Sequence, residues 1–184
     1  MSFIKTYTDK KFYYDAPTVD MIDILDIAHA LSQQCRFAGQ CKFFYSVAQH
    51  SILASKWVLE TTSDLDSAKY TLMHDASEAY CVDVPRPLKY KLQNYRQYEE
   101  KCQNVILEKF NLTLPQKYHS IVSEADDRML FTEADALLAS GSKDFTGTVE
   151  PLPIEIEYWG CEKAEVQFIR MFEYLFEGKD AHVI

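Results

Sequence analysis

Glycine and proline are scarce in this sequence, with five and six residues respectively among 184. Because these residues interrupt helices most often, their scarcity favours long helices joined by short connections. Sustained alternation of polar and apolar residues, which is typical of strands, is also missing. So are internal repeats and low-complexity linkers. With 47% hydrophobic residues, residues 1–184 are predicted to form an all-α protein, a single compact helical bundle in one domain.

Long apolar runs are absent too, and none approaches the ~20 residues that a membrane span needs. The first 15 residues lack the apolar core of a signal peptide, so we expect a cytoplasmic protein with no membrane partner. The five cysteines form no CxxC pair, which favours free thiols over disulfides or a cysteine-based zinc site.

Positive charge is also in short supply, because 19 Lys and Arg face 28 Asp and Glu and the net charge is −9. A sequence-independent grip on nucleic acid depends on basic surface, so we expect no nucleic-acid partner. A small phosphorylated ligand is still compatible with this composition, because a metal and a few local cations can hold one.

Helical periodicity predicts six helices, with Thr18 and Ser46 as N-caps of the first two and Pro115 opening the fifth. Pro85 and Pro87 are expected to prevent the third helix from continuing beyond residue 81. A small hairpin is expected at residues 6–14. The predicted helices are 18–34, 46–59, 64–81, 92–110, 115–141 and 155–176.

Residues 70–90, YTLMHDASEAYCVDVPRPLKY, carry side chains that helix packing alone does not explain. His74 and Asp75 are adjacent, and on one helix Glu78 would share a face with His74. An imidazole nitrogen and a carboxylate oxygen together suit a divalent transition metal. A nearby carboxylate could take the proton of a water acidified by that metal. Because His-Asp is a common dipeptide, this interpretation depends on finding further ligands.

Two further ligand candidates lie elsewhere in the chain. His50 is on an apolar helix face, where a lone histidine is more often a core residue than a ligand. Asp126 also lies on a largely apolar face, and burying a carboxylate is costly unless it is paired or bound to a metal. Asp127 is the competing choice, one step round the helix toward Arg128, and we favour Asp126.

The order His50, His74-Asp75, Asp126 resembles the H…HD…D signature of the HD-domain phosphohydrolase superfamily. The resemblance covers residues 26–138 and lies in the blocks RFAG, FYSVAQHS, LMHDASEAYCVDVPRPLKY and EADDRMLFTEADAL. Within the superfamily, the chain is most similar to the short phage and bacterial deoxynucleotide triphosphohydrolases, of which the phage dATP triphosphohydrolases are best known. It is also similar to the bacterial 5'-deoxynucleotidases. The superfamily fold is an all-helical HD domain, in agreement with the residue pattern.

The resemblance implies that His50, His74, Asp75 and Asp126 bind one divalent metal ion. This mixture of nitrogen and oxygen ligands suits Mn, Co, Zn or Fe better than Mg. Glu78 matches the glutamate that positions or deprotonates the attacking water.

The remaining implied roles concern the substrate. Arg36 matches an arginine near the phosphate, where a guanidinium can bind two oxygens at once. Asp83 matches an aspartate that binds the sugar 3'-hydroxyl, although it could equally be a cap of the loop before the prolines. Lys89 is a further candidate for a contact with the triphosphate, and Arg86 and Lys91 are alternatives to it. Phe37 and Pro87 are candidates for contacts with the base.

These implications predict a metal-dependent hydrolase of deoxynucleotides. The favoured reaction releases triphosphate from a dNTP, with dATP as one candidate, and leaves a deoxynucleoside. The alternatives are a 5'-deoxynucleotidase acting on dNMPs, a non-catalytic nucleotide sensor and a purely structural bundle. A phage origin would place the enzyme in the host cytoplasm. We also expect a homo-oligomer, a dimer or hexamer, because the N-terminus and the last helix are rich in aromatic residues such as Trp159, Phe168, Phe172, Tyr174 and Phe176.

Overall fold

The computed structural model describes residues 2–112, 115–147 and 149–179, and its helical content confirms the predicted all-α class. Within these ranges, a two-stranded antiparallel hairpin precedes eight α-helices. Short 3₁₀ helices occur at Val19–Met21 and Phe37–Gly39. The elements are β1 (Ile4–Lys5), β2 (Lys11–Phe12), α1 (Ile24–Gln33), α2 (Val47–Thr62), α3 (Leu65–Leu72), α4 (Glu78–Cys81), α5 (Arg86–Lys89), α6 (Gln93–Lys109), α7 (Pro115–Leu137) and α8 (Cys161–Glu177).

Helix α2 is central in the bundle, because α1, α3, α7 and α8 all pack against it. The larger core cluster contains Ile27, Leu31, Leu72 and Phe168, each fully buried. Burial of one such side chain contributes about 1.5–3 kcal/mol to folding. A smaller cluster joins α2 to α7 and brings their inward faces together. Helices α2 and α7 carry His50 and Asp126, so this packing determines where those two side chains meet.

Two predicted helix starts are wrong. Helix α1 begins at Ile24, because the Asp23 carboxylate accepts a hydrogen bond from the Leu25 N–H at 3.0 Å and caps it. Thr18 precedes only a 3₁₀ turn and makes no side-chain cap. Helix α8 begins at Cys161 rather than 155, after an extended segment that contains two prolines.

The predicted helix at 64–81 is divided, which changes the setting of the central motif. Helix α3 ends at Leu72, and residues 73–77 form turns before α4 begins at Glu78. The Nδ1 atom of His74 lies 2.6 Å from the Thr71 carbonyl, which holds the imidazole against the end of α3. Glu78 therefore opens a new helix and does not share a helical face with His74.

Other local predictions are confirmed. Ser46 caps α2, because its hydroxyl accepts a hydrogen bond from the Gln49 N–H at 3.1 Å. The N-terminal hairpin turns at Asp9, which has a φ of +64°. The helix that ends at Cys81 does not continue into Pro85 and Pro87, as predicted. Helix α5 is a separate single turn with Pro87 near its start, where a helix tolerates proline.

The aromatic residues of α8 are used within this chain. Phe168 and Phe172 are buried, and the Phe172 ring stacks on Phe176 with centroids 4.4 Å apart. The surplus of aromatic surface that suggested a homo-oligomer is therefore smaller than expected, and the oligomer stays a prediction. Among the helices in the described part of the chain, none has both the length and the apolar character required to cross a bilayer.

Candidate metal centre and active site

Four predicted ligands come together from three separate parts of the fold. The Nε2 atoms of His50 and His74 lie 3.2 Å apart. The Oδ2 atom of Asp75 lies 3.6 Å from the first and 3.2 Å from the second. These three ligand atoms are all within 4.8 Å of one another. Asp126 adds an oxygen 3.5 Å from His50 Nε2 and 3.9 Å from His74 Nε2.

The outer nitrogen of each imidazole is held by an acceptor. His50 Nδ1 lies 2.6 Å from Oε1 of Glu133, and His74 Nδ1 lies 2.6 Å from the Thr71 carbonyl. When both imidazoles are neutral, a proton on each Nδ1 satisfies both contacts and leaves the Nε2 lone pairs directed at one another and at Asp75. A cation would bind in the space between these two lone pairs and the neighbouring carboxylate oxygens. The donor set therefore fits a divalent metal.

The ionic state of the cluster agrees with this fit. Burial lowers the pKa of His74, but the Asp75 carboxylate more than offsets burial and raises that pKa to about 9. Burial opposes ionisation of Asp75 and Asp126 as well, yet the neighbouring histidines hold both carboxyl pKa values below their usual range. A metal ion binding here must displace the His74 proton, so metal affinity should fall as the pH falls.

Glu78 lies at the start of α4 with its side chain almost entirely buried. One oxygen, Oε1, lies 3.1 Å from the Lys89 amine, whereas Oε2 is buried with no hydrogen-bond partner among the described residues. Burial, followed by the negative charges of Asp75 and Asp83, raises the pKa of Glu78 well above its ordinary value. A carboxylate whose pKa is raised accepts a proton more readily, which suits a general base.

Arg36 enters the site from the loop between α1 and α2. Its Nε donates to Oε2 of Glu133 at 2.9 Å, and its Nη1 lies 3.6 Å from Oδ2 of Asp75. Burial lowers the pKa of Arg36, but Glu133 and Asp75 raise it further, so the guanidinium stays charged. Its guanidinium lies 5.8 Å from the centroid of the Phe37 ring.

Glu133 is a central residue of the site that the sequence analysis missed. It is fully buried on α7 and also accepts a hydrogen bond from the Tyr45 hydroxyl at 2.9 Å. Burial alone would raise its pKa, but Arg36 and His50 lower it, so the carboxylate is charged. Glu133 lies seven residues, two helical turns, after Asp126. A second acidic residue at that spacing on an apolar face was the available signal.

The other predicted substrate residues lie around this centre. Lys89 is shared by Glu78 and Glu99, at 3.1 and 2.7 Å. Pro87 is exposed on the same short helix, α5. Asp83 is partly buried after α4, and its backbone N–H donates to Oε1 of Gln34 at 2.8 Å.

Arg86 joins α5 to α7. Its guanidinium contacts Asp126 at 2.8 Å and Asp127 at 3.1 Å. Asp126 is nearer the histidines and less exposed than Asp127, whose carboxylate contacts Arg86. The geometry therefore favours Asp126 over Asp127 as the fourth ligand.

Comparison with known proteins supports the superfamily resemblance. The model of the family described as 5'-deoxynucleotidase YfbR-like matches residues 46–141, which contain all four candidate ligands and Glu78. In Escherichia coli (strain K12), the uncharacterized protein YfdR is 48% identical over 132 residues, which cover 70% of this chain and 71% of that protein. The narrower likeness to triphosphohydrolases receives no support from these matches. The chain belongs to the YfbR-like 5'-deoxynucleotidase family, an HD-domain family, and is a metal-dependent phosphohydrolase.

Proposed function

We propose that this protein is a 5'-deoxynucleotidase, which hydrolyses a deoxynucleoside 5'-monophosphate to a deoxynucleoside and inorganic phosphate. One observation carries the proposal. The facing Nε2 atoms of His50 and His74, together with the Asp75 oxygen, converge near Glu78, a buried carboxylate with one oxygen that has no hydrogen-bond partner among the described residues. The family match names the same reaction class.

His50, His74, Asp75 and Asp126 would hold the divalent ion. Their mixed donors suit Mn²⁺, Co²⁺, Zn²⁺ or Fe²⁺ better than Mg²⁺. When bound, such an ion lowers the pKa of a water molecule and draws charge from phosphate oxygens.

Glu78 is the proposed general base. Its raised pKa lets it accept a proton as water attacks phosphorus, and Lys89 keeps its carboxylate in place. The new P–O bond forms from water as the bond between phosphorus and the 5'-oxygen breaks. The 5'-oxygen takes up a proton as it leaves, which balances the proton that Glu78 removed from water, so water and nucleotide give deoxynucleoside and phosphate.

Arg36 is proposed to bind the phosphate, because it is fixed by Glu133 and its charge is permanent. Asp83 is proposed to accept a hydrogen bond from the 3'-hydroxyl of the sugar. Phe37 lies beside Arg36 and is proposed to contact the base, as is Pro87.

The pairing of the cations at the site favours a monophosphate substrate over the dNTP that the sequence resemblance favoured. The three cations at the site are already paired with carboxylates: Arg36 with Glu133 and Asp75, Arg86 with Asp126 and Asp127, and Lys89 with Glu78 and Glu99. A triphosphate carries more negative charge than a monophosphate. To neutralise that charge, these ion pairs would have to break and release their cations.

The presence of Glu78 argues against the non-catalytic sensor.

The experiment measures phosphate and triphosphate release from each dNMP and each dNTP, with Mn²⁺ or Co²⁺ added to metal-depleted protein. We expect phosphate from at least one dNMP and no triphosphate from any dNTP. Glu78→Gln should abolish release with metal binding retained, and Glu108→Gln, an exposed glutamate on α6, should not change it. Triphosphate release that depends on Glu78 would replace this proposal with the triphosphohydrolase.

A further inference from the structure

The side chain of Gln34 joins two parts of the proposed active site. Its Nε2 donates to the carbonyl of Glu78 at 2.9 Å and to the carbonyl of Ala30 at 3.2 Å. Its Oε1 accepts the backbone N–H of Asp83 at 2.8 Å. The carbonyl of Gln34 itself accepts from the Val47 N–H at 3.1 Å, at the start of the helix that carries His50. One residue thus ties the ends of the Glu78–Asp83 segment to α1 and α2.

The segment that Gln34 holds has a costly backbone conformation. Val82 has a φ of +64° and a ψ of 152°, which a β-branched residue rarely adopts. Such a conformation persists only where its surroundings fix it. Two side chains do so here: Gln34 on the N–H of Asp83, and Tyr95, whose hydroxyl donates to the Val82 carbonyl at 2.6 Å.

Gln34 also lies two residues before Arg36 in the chain. Because the phosphate and the 3'-hydroxyl belong to one small molecule, the groups that bind them must lie within a limited range of distances from each other. The hydrogen bond from Asp83 to Gln34 connects the segment that carries the proposed 3'-hydroxyl acceptor directly to the segment that carries the phosphate-binding arginine.

We propose that Gln34 is a positioning residue that sets the distance between Arg36 and Asp83, so that the site selects substrates with a 3'-hydroxyl. This inference rests on the proposed nucleotidase function. It does not require Gln34 to touch the substrate, because its amide is already used by three backbone groups.

The test compares kcat/KM for the best dNMP with that for the matching 2',3'-dideoxynucleoside monophosphate, which lacks the 3'-hydroxyl. We expect the wild type to favour the dNMP by about tenfold or more, the worth of a hydrogen bond to a charged group. Gln34→Met should reduce this ratio below about threefold, as Asp83→Asn should. Gln33→Met, at the adjacent exposed glutamine, should keep the wild-type ratio.

The ratio separates positioning from general damage, because loss of folded protein lowers both rates equally. An unchanged ratio in Gln34→Met, with wild-type activity present, overturns the inference and leaves the proposed function intact. A wild type that hydrolyses no dNMP overturns the proposed function and this inference with it. If Gln34→Met does not fold, Tyr95→Phe decides, because it removes the second restraint on Val82. A reduced ratio supports the inference and an unchanged ratio overturns it.

Discussion

Glu133→Gln tests whether the metal centre depends on a carboxylate that cannot touch the metal. The glutamate is fully buried and accepts hydrogen bonds from His50, Arg36 and Tyr45. Glutamine has nearly the same shape but no charge, and its NH₂ group can donate to Nδ1 of His50. That would move the imidazole proton to Nε2, the atom that faces the metal site. The charge of Arg36 would lose its closest partner.

The substitution should lower both the metal affinity and the stability of the protein. Replacing a residue that orients a metal-ligating histidine usually costs about 10–100-fold in metal affinity, which is about 1.4–2.7 kcal/mol. Breaking a buried ion pair costs about 3–5 kcal/mol of stability. Because glutamine keeps some hydrogen bonds, we expect the lower end, about 3 kcal/mol. For a domain of this size, that corresponds to a fall in Tm of about 6–12 °C.

The assay titrates metal-depleted protein with Mn²⁺ or Co²⁺ by calorimetry and follows Tm with and without the metal. The matched control is Glu124→Gln on the same helix, an exposed residue 3.5 Å from Arg128. That variant should lie within about 0.5 kcal/mol of the wild type and bind metal equally well. If Glu133→Gln lost stability but bound the metal as tightly as the wild type, the tautomer argument would be refuted.

Two further predictions concern neighbouring charges. Asp126→Asn should weaken metal binding at least tenfold, whereas Asp127→Asn should not, although each removes the negative charge of an ion pair with Arg86. Equal affinities of the two variants by calorimetry would remove Asp126 from the ligand set. Lys89→Met removes the cation that lowers the pKa of Glu78, so the pKa should rise further and the acid limb of the kcat profile should move to higher pH. The control is Lys91→Met, at an exposed lysine, which should leave the acid limb at the wild-type pH. If Lys89→Met also left the acid limb there, the result would contradict the role of Glu78 as base.

The candidate metal ligands, which the structure brings together, could be proposed from the sequence because their residue types and order carry the information. His74 and Asp75 are adjacent, and His50 and Asp126 lie on otherwise apolar helix faces. Their local structure could not be predicted as well. Helical periodicity predicted one continuous helix over residues 64–81. In the structure the helix ends at Leu72, and His74 and Asp75 lie in the turn that follows it.

Glu133 and Gln34 escaped the sequence analysis for a different reason. Their partners are distant in the chain, since Glu133 binds His50 across 83 positions and Gln34 binds Asp83 across 49. A single glutamate or glutamine in a helix or at its end has no local sequence motif that marks it as part of a site. Only the packing of α7 on α2, and of α4 on α1, turns them into parts of the site.

Charge balance links the metal centre to the choice of substrate. Arg36 and Glu133 neutralise one another within the buried site. Asp75 and Asp126 carry two negative charges, which one divalent ion would cancel. A monophosphate then adds about two negative charges, and the guanidinium of Arg36 has further N–H donors for its oxygens besides the Nε that Glu133 uses. Each further phosphate would need another cation, and Arg86 and Lys89 are held by carboxylates of the site itself. The same pairs that order the metal centre therefore limit the charge it can accept, which favours a monophosphate as the substrate.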